Sequence, residues 1–410
     1  MLEEYFSDAS AIGRHREGLL GSHVDGFVVW LNEQGYARAS VRGFVAVFSA
    51  VGRWLQRRTL GAGDLSTELA ARFLCRSNTG GIRPHERASL KHILEYLHRA
   101  GIAARDASAP EPAPVERLVE EFRRYLRHDR ALAEATLQGY CARVQLFLSV
   151  CFGTGPVELP RLSVKDVEEF AMHYAQGRTS KSTQTMLTAL RSWLRFLYLR
   201  ELISEELADR VPSVAFWRQV SPPKWLADED IERVLNGCDR HSAIGQRDYA
   251  VLLLLARLGL RAGEVLLLEL DDIRWEAAEI TVHGKGPRRK RFPLPDDVGA
   301  ALAAYLKNAR PRCDSRRVFL RVRAPYRGLG HASTVDTIVS DALQRAGLDP
   351  PMKGAHLFRH SLATRMLRNG ATLTEIGQIL HHANPDTTSI YAKVDIDGLR
   401  GLAMPWLGDH

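Results

Sequence analysis

The chain of 410 residues is poor in cysteine and arranges what it has without pattern. Cys75, Cys141, Cys151, Cys238 and Cys313 are scattered, odd in number, and form no Cys-x-x-Cys pair. That spacing argues against a disulfide framework and a structural zinc site, and it fits a reducing compartment. Long apolar runs are also missing. The most apolar stretch, VLLLLA (Val251–Ala256), is far too short to cross a bilayer. The N-terminal MLEEYFSDAS is acidic and lacks the apolar core of a signal peptide. The expectation is a cytoplasmic protein with no membrane partner.

What is present is ordinary in bulk. Apolar residues make up 45% of the chain, enough for large cores, and the length calls for two or three domains. The formal net charge is +8. That is compatible with a polyanionic partner, although many proteins without one carry as much. Two stretches read as linkers: DASAPEPAPVE (Asp106–Glu116), where Pro alternates with small and acidic residues, and VPSVAFWRQVSPPKW (Val211–Trp225). They divide the chain into residues 1–105, 113–210 and 222–410.

The first two pieces share a pattern. FVVWL (Phe27–Leu31) matches FRRYL (Phe122–Leu126), and ARASVRGF (Ala37–Phe44) matches AEATLQGY (Ala133–Tyr140). Further on, LSTELAARF (Leu65–Phe73) matches LSVKDVEEF (Leu162–Phe170), and LKHILEYL (Leu90–Leu97) matches LRSWLRFL (Leu190–Leu197). Apolar residues recur at helical spacing in each block, which predicts two bundles of about four helices, with Ser40 and Thr136 as N-caps. Duplication is one reading. Two unrelated amphipathic bundles with a common pattern is the other. The third piece is mainly helical, but EITVHGKGPRRKRFPL (Glu279–Leu294) reads as a β-hairpin.

Several residues of the third piece could carry chemistry, and each also has a plain structural reading. In LGLRAGE, Gly259 can end one helix and Ala262 begin the next, so Arg261 meets a helix N-terminus that favours anions. It could equally be a surface arginine paired with Glu264. Lys285, flanked by two glycines at the hairpin tip, could reach a DNA groove or sit in a solvated basic turn with Arg288, Arg289, Lys290 and Arg291. In HLFRH, His356 and Arg359 share a helix face at a helix start, where positive charge opposes the dipole, and His360 reads as a structural histidine. TLTE (Thr372–Glu375) is a capping box whose helix places Leu373, Ile376, Ile379 and Leu380 on a core and runs to His381 and His382. Asn384 and Pro385 then start a new helix that carries Tyr391 about two turns in. Its plain reading is a half-buried aromatic.

Taken in order, GLRAGE, the hairpin lysine, HLFRH and LHHANPDTTSIY resemble the tyrosine recombinase (phage integrase) family. The resemblance covers the third piece and extends to the second, whose ATLQGY and LRSWLRFLY blocks are similar to the family's helical core-binding domain. It implies a multidomain fold: two all-α, SAM-like bundles followed by a mainly α catalytic domain with a small antiparallel sheet. It also implies a site-specific recombinase that cleaves double-stranded DNA through a 3′-phosphotyrosyl bond and rejoins it without ATP. Arg261 and Arg359 would neutralise the phosphate and its transition state, and Lys285 would protonate the leaving 5′ oxygen. His356 would act as base, His382 would donate to the phosphate, and Tyr391 would attack. Glu264 would orient Arg261. Arginines would replace the metal of other phosphoryl-transfer sites, so neither metal nor cofactor is expected.

The resemblance also implies a synaptic tetramer whose C-terminal tails dock on the next protomer; Leu399, Leu402 and Trp406 could form that docking face, or the tail could pack in cis. Two departures stand out: His381 occupies a position that is usually glycine, and residues 1–105 are absent from simple members. The basic residues Arg38, Arg42, Arg53, Arg57 and Arg58 of that extra piece permit DNA contact, whereas Trp30 and Phe48 read as core. Length and the extra domain are also similar to recombinases encoded in trios on mobile elements. Acting on DNA, such a protein is expected in the cytoplasm in association with the nucleoid. The alternatives are a topoisomerase IB-like enzyme and a silent DNA-binding accessory protein.

Overall fold

The computed structural model describes residues 1–75, 84–103, 114–153, 155–213, 223–284, 289–382, 384 and 387–394. Most of the two linkers, Lys285 and the tail residues Leu399, Leu402 and Trp406 lie outside them. The chain divides into two compact units, Ala107–Val220 and a second made of Met1–Asp106 with Ser221–His410. Among the described residues no helix is long and apolar enough to cross a membrane.

The N-terminal bundle holds α1 (Ala9–Arg16), α2 (Val24–Glu33), α3 (Arg38–Gln56), α4 (Thr67–Leu74) and α5 (Pro84–Arg99). The second bundle holds α6 (Pro114–His128), α7 (Glu134–Phe152), α8 (Val164–Ala175) and α9 (Ser180–Leu199). Matching positions are buried in both: Phe27 and Phe122, Leu31 and Leu126, Phe73 and Phe170, Leu97 and Leu197. Each such side chain withdrawn from water contributes roughly 1.5–3 kcal/mol, so these shared positions define both cores. Ser66 and Ser163 cap α4 and α8 in the same way, each accepting a backbone N–H at the third helical residue. Ser40 and Thr136 are not caps. The long helices begin one turn earlier, after the extended residues Ala37 and Ala133, because an extended residue can open a helix without a side-chain acceptor.

The C-terminal region contains α10 (Asp228–Asn236), α11 (Ala243–Leu258) and α12 (Ala262–Leu267). A three-stranded antiparallel sheet follows, β1 (Ile273–Arg274), β2 (Glu279–His283) and β3 (Arg289–Pro293), in the order β1-β2-β3. Then come α13 (Asp296–Ala304), α14 (Ala332–Arg345), α15 (Ala355–Arg368) and α16 (Leu373–Ile379). Helix α11 is the central element, with Val251–Ala256 buried on every side, which explains why that run is apolar without period. Ile280, Val282 and Phe292 seat the hairpin on the same core. Ile379 is exposed rather than buried, because the α-helix ends there and the chain turns at Leu380.

Within this unit the N-terminal bundle touches the loop before α14. The Tyr326 amide donates to the Gln34 carbonyl at 3.0 Å. The Tyr326 ring covers Gly35, whose φ is +80°, and a Cβ there would lie 2.1 Å from Cε2 of the ring. Gly35→Ala should therefore break this contact, and amide hydrogen exchange at Tyr326 should accelerate by about tenfold or more. Unchanged exchange would mean that the loop is held by something other than the bundle.

Candidate active site

Arg359 lies at the centre of the site and is buried, at 4% exposure. Its Nη1 donates to the Gly259 carbonyl at 2.6 Å and its Nη2 donates to the Leu380 carbonyl. Gly259 ends α11 and Leu380 ends α16, so one guanidinium joins the C-termini of two helices, where cations are favoured. Gly259 is left-handed with φ +59°. A Cβ there would lie 2.9 Å from both Leu362 and Leu380, so glycine is required on both counts. Burial first, then the charge of Arg261, pushes the Arg359 pKa down to about 10, and it stays charged at neutral pH.

Arg261 stands at the N-cap of α12, as its motif predicts. Its backbone N–H donates to Oε2 of Glu264 at 2.9 Å and its Nη1 donates to Oε1 at 3.0 Å. Glu264 is buried at 5%, and its Oε1 also lies 3.8 Å from Lys290 Nζ on β3. A buried carboxylate needs paired charge, and these two cations supply it. Lys290 donates in turn to the His381 carbonyl at 3.2 Å. The basic run of the hairpin thus contributes a residue that fixes the turn carrying the histidine pair.

The two histidines differ. His381 has φ +48°, a left-handed conformation that explains why glycine suits this position. Its ring edge packs on Phe292 with centroids 4.7 Å apart, so the side chain is accommodated against β3. His382 turns inward, with Nδ1 2.6 Å from Thr388 Oγ1 and its ring stacked over Tyr391 at 6.5 Å. Burial, reinforced by Arg359, Arg261 and Lys290, pushes its pKa down to about 4.

Tyr391 is 1% exposed and packs with Leu362, Ile376 and Leu380. It sits in the first turn of a short 3-10 helix, Ser389–Val394, rather than two turns into an α-helix begun at Asn384. Its hydroxyl is hydrogen-bonded to Nδ1 of His360 at 2.9 Å. Burial pushes the phenol up to about 12, against the pull of Arg359 and Arg261. His356 is exposed at the start of α15, and its ring centroid lies 6.3 Å from that of His360. The structure thus gathers Arg261, Arg359, His382 and Tyr391, with His356 behind His360. His360, which reads in the sequence as a structural histidine, is the one that meets the Tyr391 hydroxyl. Its spacing of four from His356, one turn along the same face, was the available signal.

Two family models match the chain: the phage integrase family over residues 224–397, and the phage integrase N-terminal SAM-like domain over 119–201. A Sinorhizobium fredii protein that bears the name integrase/recombinase y4rA is 42% identical over 99% of both chains. Tyrosine recombinase XerC of Bacillus pumilus is 27% identical over 70% of this chain and 95% of its own. Among solved structures, XerH bound to palindromic difH substrate aligns with TM-score 0.51 and 19% identity, covering 70% of this chain and 84% of that one. A lambda integrase dimer bound to a COC′ core site gives the same TM-score at 15% identity, covering 72% and 99%, and both likenesses concern the fold.

Glu264→Gln should test the carboxylate link. Losing a charge-assisted hydrogen bond costs roughly 1.5–3 kcal/mol. Single-turnover DNA cleavage should then slow about ten- to hundredfold, and a wild-type rate would show that Arg261 needs no carboxylate. With family models over more than half its length and a close relative over nearly all of it, the chain belongs to the phage integrase family, the tyrosine recombinases, which cleave and rejoin DNA at specific sites.

Proposed function

We propose that the Tyr391 hydroxyl attacks a DNA phosphodiester held by Arg261 and Arg359, forming a 3′-phosphotyrosyl bond and releasing a 5′ hydroxyl. The observation that carries this reading is a buried phenol placed beside a buried arginine, within the field of a second one. Two guanidiniums can bind the non-bridging oxygens bidentately and match the extra charge of the pentavalent transition state. His382, neutral at pH 7, can donate one further hydrogen bond to the phosphate. Lys285, which follows β2 in the sequence, is the proposed acid for the leaving oxygen. The phosphotyrosyl bond keeps the energy of the broken one, so rejoining needs no ATP.

The biological reading is strand exchange between two duplexes by a synaptic tetramer, in service of a mobile element, alone or beside related recombinases. An apolar cleft of about 700 Å³, lined by Leu373, Gly377, His381 and Thr388 among others, is a suitable acceptor for the tail of a neighbouring protomer. We assign residues 113–210 to the core-binding domain and 222–410 to catalysis. Residues 1–105 form the extra domain, whose Arg38, Arg53 and Arg57 are exposed for DNA.

The test is a nicked duplex whose cleaved strand diffuses away. Wild-type protein should accumulate a covalent DNA adduct, and Tyr391→Phe should form none while still binding the duplex. An adduct from Tyr391→Phe would overturn the assignment of the nucleophile. Recombinant joints between two duplexes separate strand exchange from a topoisomerase-like activity, which yields none.

A further inference from the structure

We propose that the N-terminal bundle and the loop before α14 form one phosphate-binding surface for duplex DNA, held together by the contact of Gly35 with Tyr326. This rests on the reading that residues 1–105 meet DNA. The loop, residues 321–327, is closed at its base: the Arg321 amide donates to the Arg327 carbonyl at 2.9 Å, and Leu320 pairs antiparallel with Gly328. The Leu320 amide donates to the hydroxyl of the buried Tyr305 at 3.1 Å, so the loop stands on the C-terminal core. On the bundle side, the turn between α2 and α3 is fixed by Tyr36. Its hydroxyl lies 2.9 Å from Nε2 of His92, and its ring meets Phe44 edge-on. Tyr326 joins the two, with its ring on Gly35 and its amide on the Gln34 carbonyl.

Arginines gather at this seam without carboxylates. Arg323 and Arg327 are exposed on the loop, Arg321 is half-buried at its base, and Arg38 is exposed at the start of α3. Tyr36 lies within the field of Arg321 and Arg327, so the loop arginines are close to the turn that leads into Arg38. Among the described residues none of these four guanidiniums is ion-paired or hydrogen-bonded. Other arginines of the same two regions are paired: Arg316 with Asp271, Arg317 with Glu269, Arg16 with Asp25 and Arg72 with Glu68. The seam is therefore singled out by what its cations lack.

Like charges brought together by folding repel one another and attract a polyanion. A strand of phosphates laid along the seam neutralises both sets at once. Guanidiniums meet phosphate oxygens bidentately, and such contacts fix register and orientation without reading bases. The bundle then extends the DNA grip of the catalytic region in cis, and the seam sets where its arginines stand.

The test is the salt dependence of binding, measured with full-length protein and a duplex carrying a site that it selected from random DNA. Each phosphate contact contributes about 0.9 to the slope of log affinity against log salt, so Arg38→Gln, Arg323→Gln and Arg327→Gln should each lower that slope by about one. Tyr326→Ala opens the seam. In that background Arg38→Gln should no longer change the slope, while Arg323→Gln keeps its effect. Gly35→Ala opens the same seam from the bundle side and serves if the Tyr326 variant does not fold. Unchanged slopes for Arg323→Gln and Arg327→Gln would overturn the proposal and leave the loop to another acidic partner. An equal effect of Arg38→Gln with the seam closed or open would also overturn it, because the bundle would then bind DNA independently of the loop. Arg53→Gln and Arg57→Gln separate this inference from the reading beneath it. If they lower the slope and Arg38→Gln does not, the bundle meets DNA elsewhere and the seam is overturned alone. If none of the three lowers it, the reading that residues 1–105 meet DNA falls, and this inference with it.

Discussion

The site depends on one buried cation that is satisfied by backbone. Arg359 reaches the end of α11 with one nitrogen and the end of α16 with another, so the three helices that meet there are held by a single guanidinium. A desolvated charge is costly unless its hydrogen bonds are met, and two C-terminal carbonyls carrying the negative end of their helix dipoles meet them. Everything near the reacting position hangs on those two ends. Arg261 follows Gly259 by two residues, and His382 follows Leu380 by two. The histidine one residue past Arg359 holds the tyrosine.

Positive charge gathered without substrate must be contained, and the protein does so by two means. A single buried carboxylate, Glu264, lies between Arg261 and Lys290. Two buried histidines are kept neutral: burial holds His360 and His382 at about 4, so they do not add to the repulsion at pH 7. The phenol of Tyr391 is likewise kept protonated by burial. The resting site is therefore biased toward binding an anion.

Local features were readable from the sequence. The Thr372–Glu375 box, the stop at Gly259, the hairpin and the amphipathic helices all follow from near-neighbour chemistry, and the structure has them where their residues predict. The missed features involve distance or backbone conformation. Arg359 and Gly259 are 100 residues apart, and Lys290 and His381 are 91 apart, so no spacing pattern connects them. The bond between His360 and Tyr391 spans 31 residues and depends on how the last turn closes over α15. The left-handed φ of His381 was invisible because histidine, unlike glycine, does not advertise it. Ser40 and Thr136 misled because a good capping residue inside a first turn looks the same in sequence as one that caps.

The joining of α11, α15 and α16 by one guanidinium is the claim of most consequence for this site. Arg359→Lys tests that directly, since lysine keeps the charge and cannot span both carbonyls in a fixed fork. Thermal unfolding and single-turnover DNA cleavage are measured on the full chain. The structure predicts a loss of about 2–3 kcal/mol in stability together with cleavage slowed on the order of 100-fold or more. Wild-type stability with a wild-type cleavage rate would contradict the account, because charge alone would then suffice at this position.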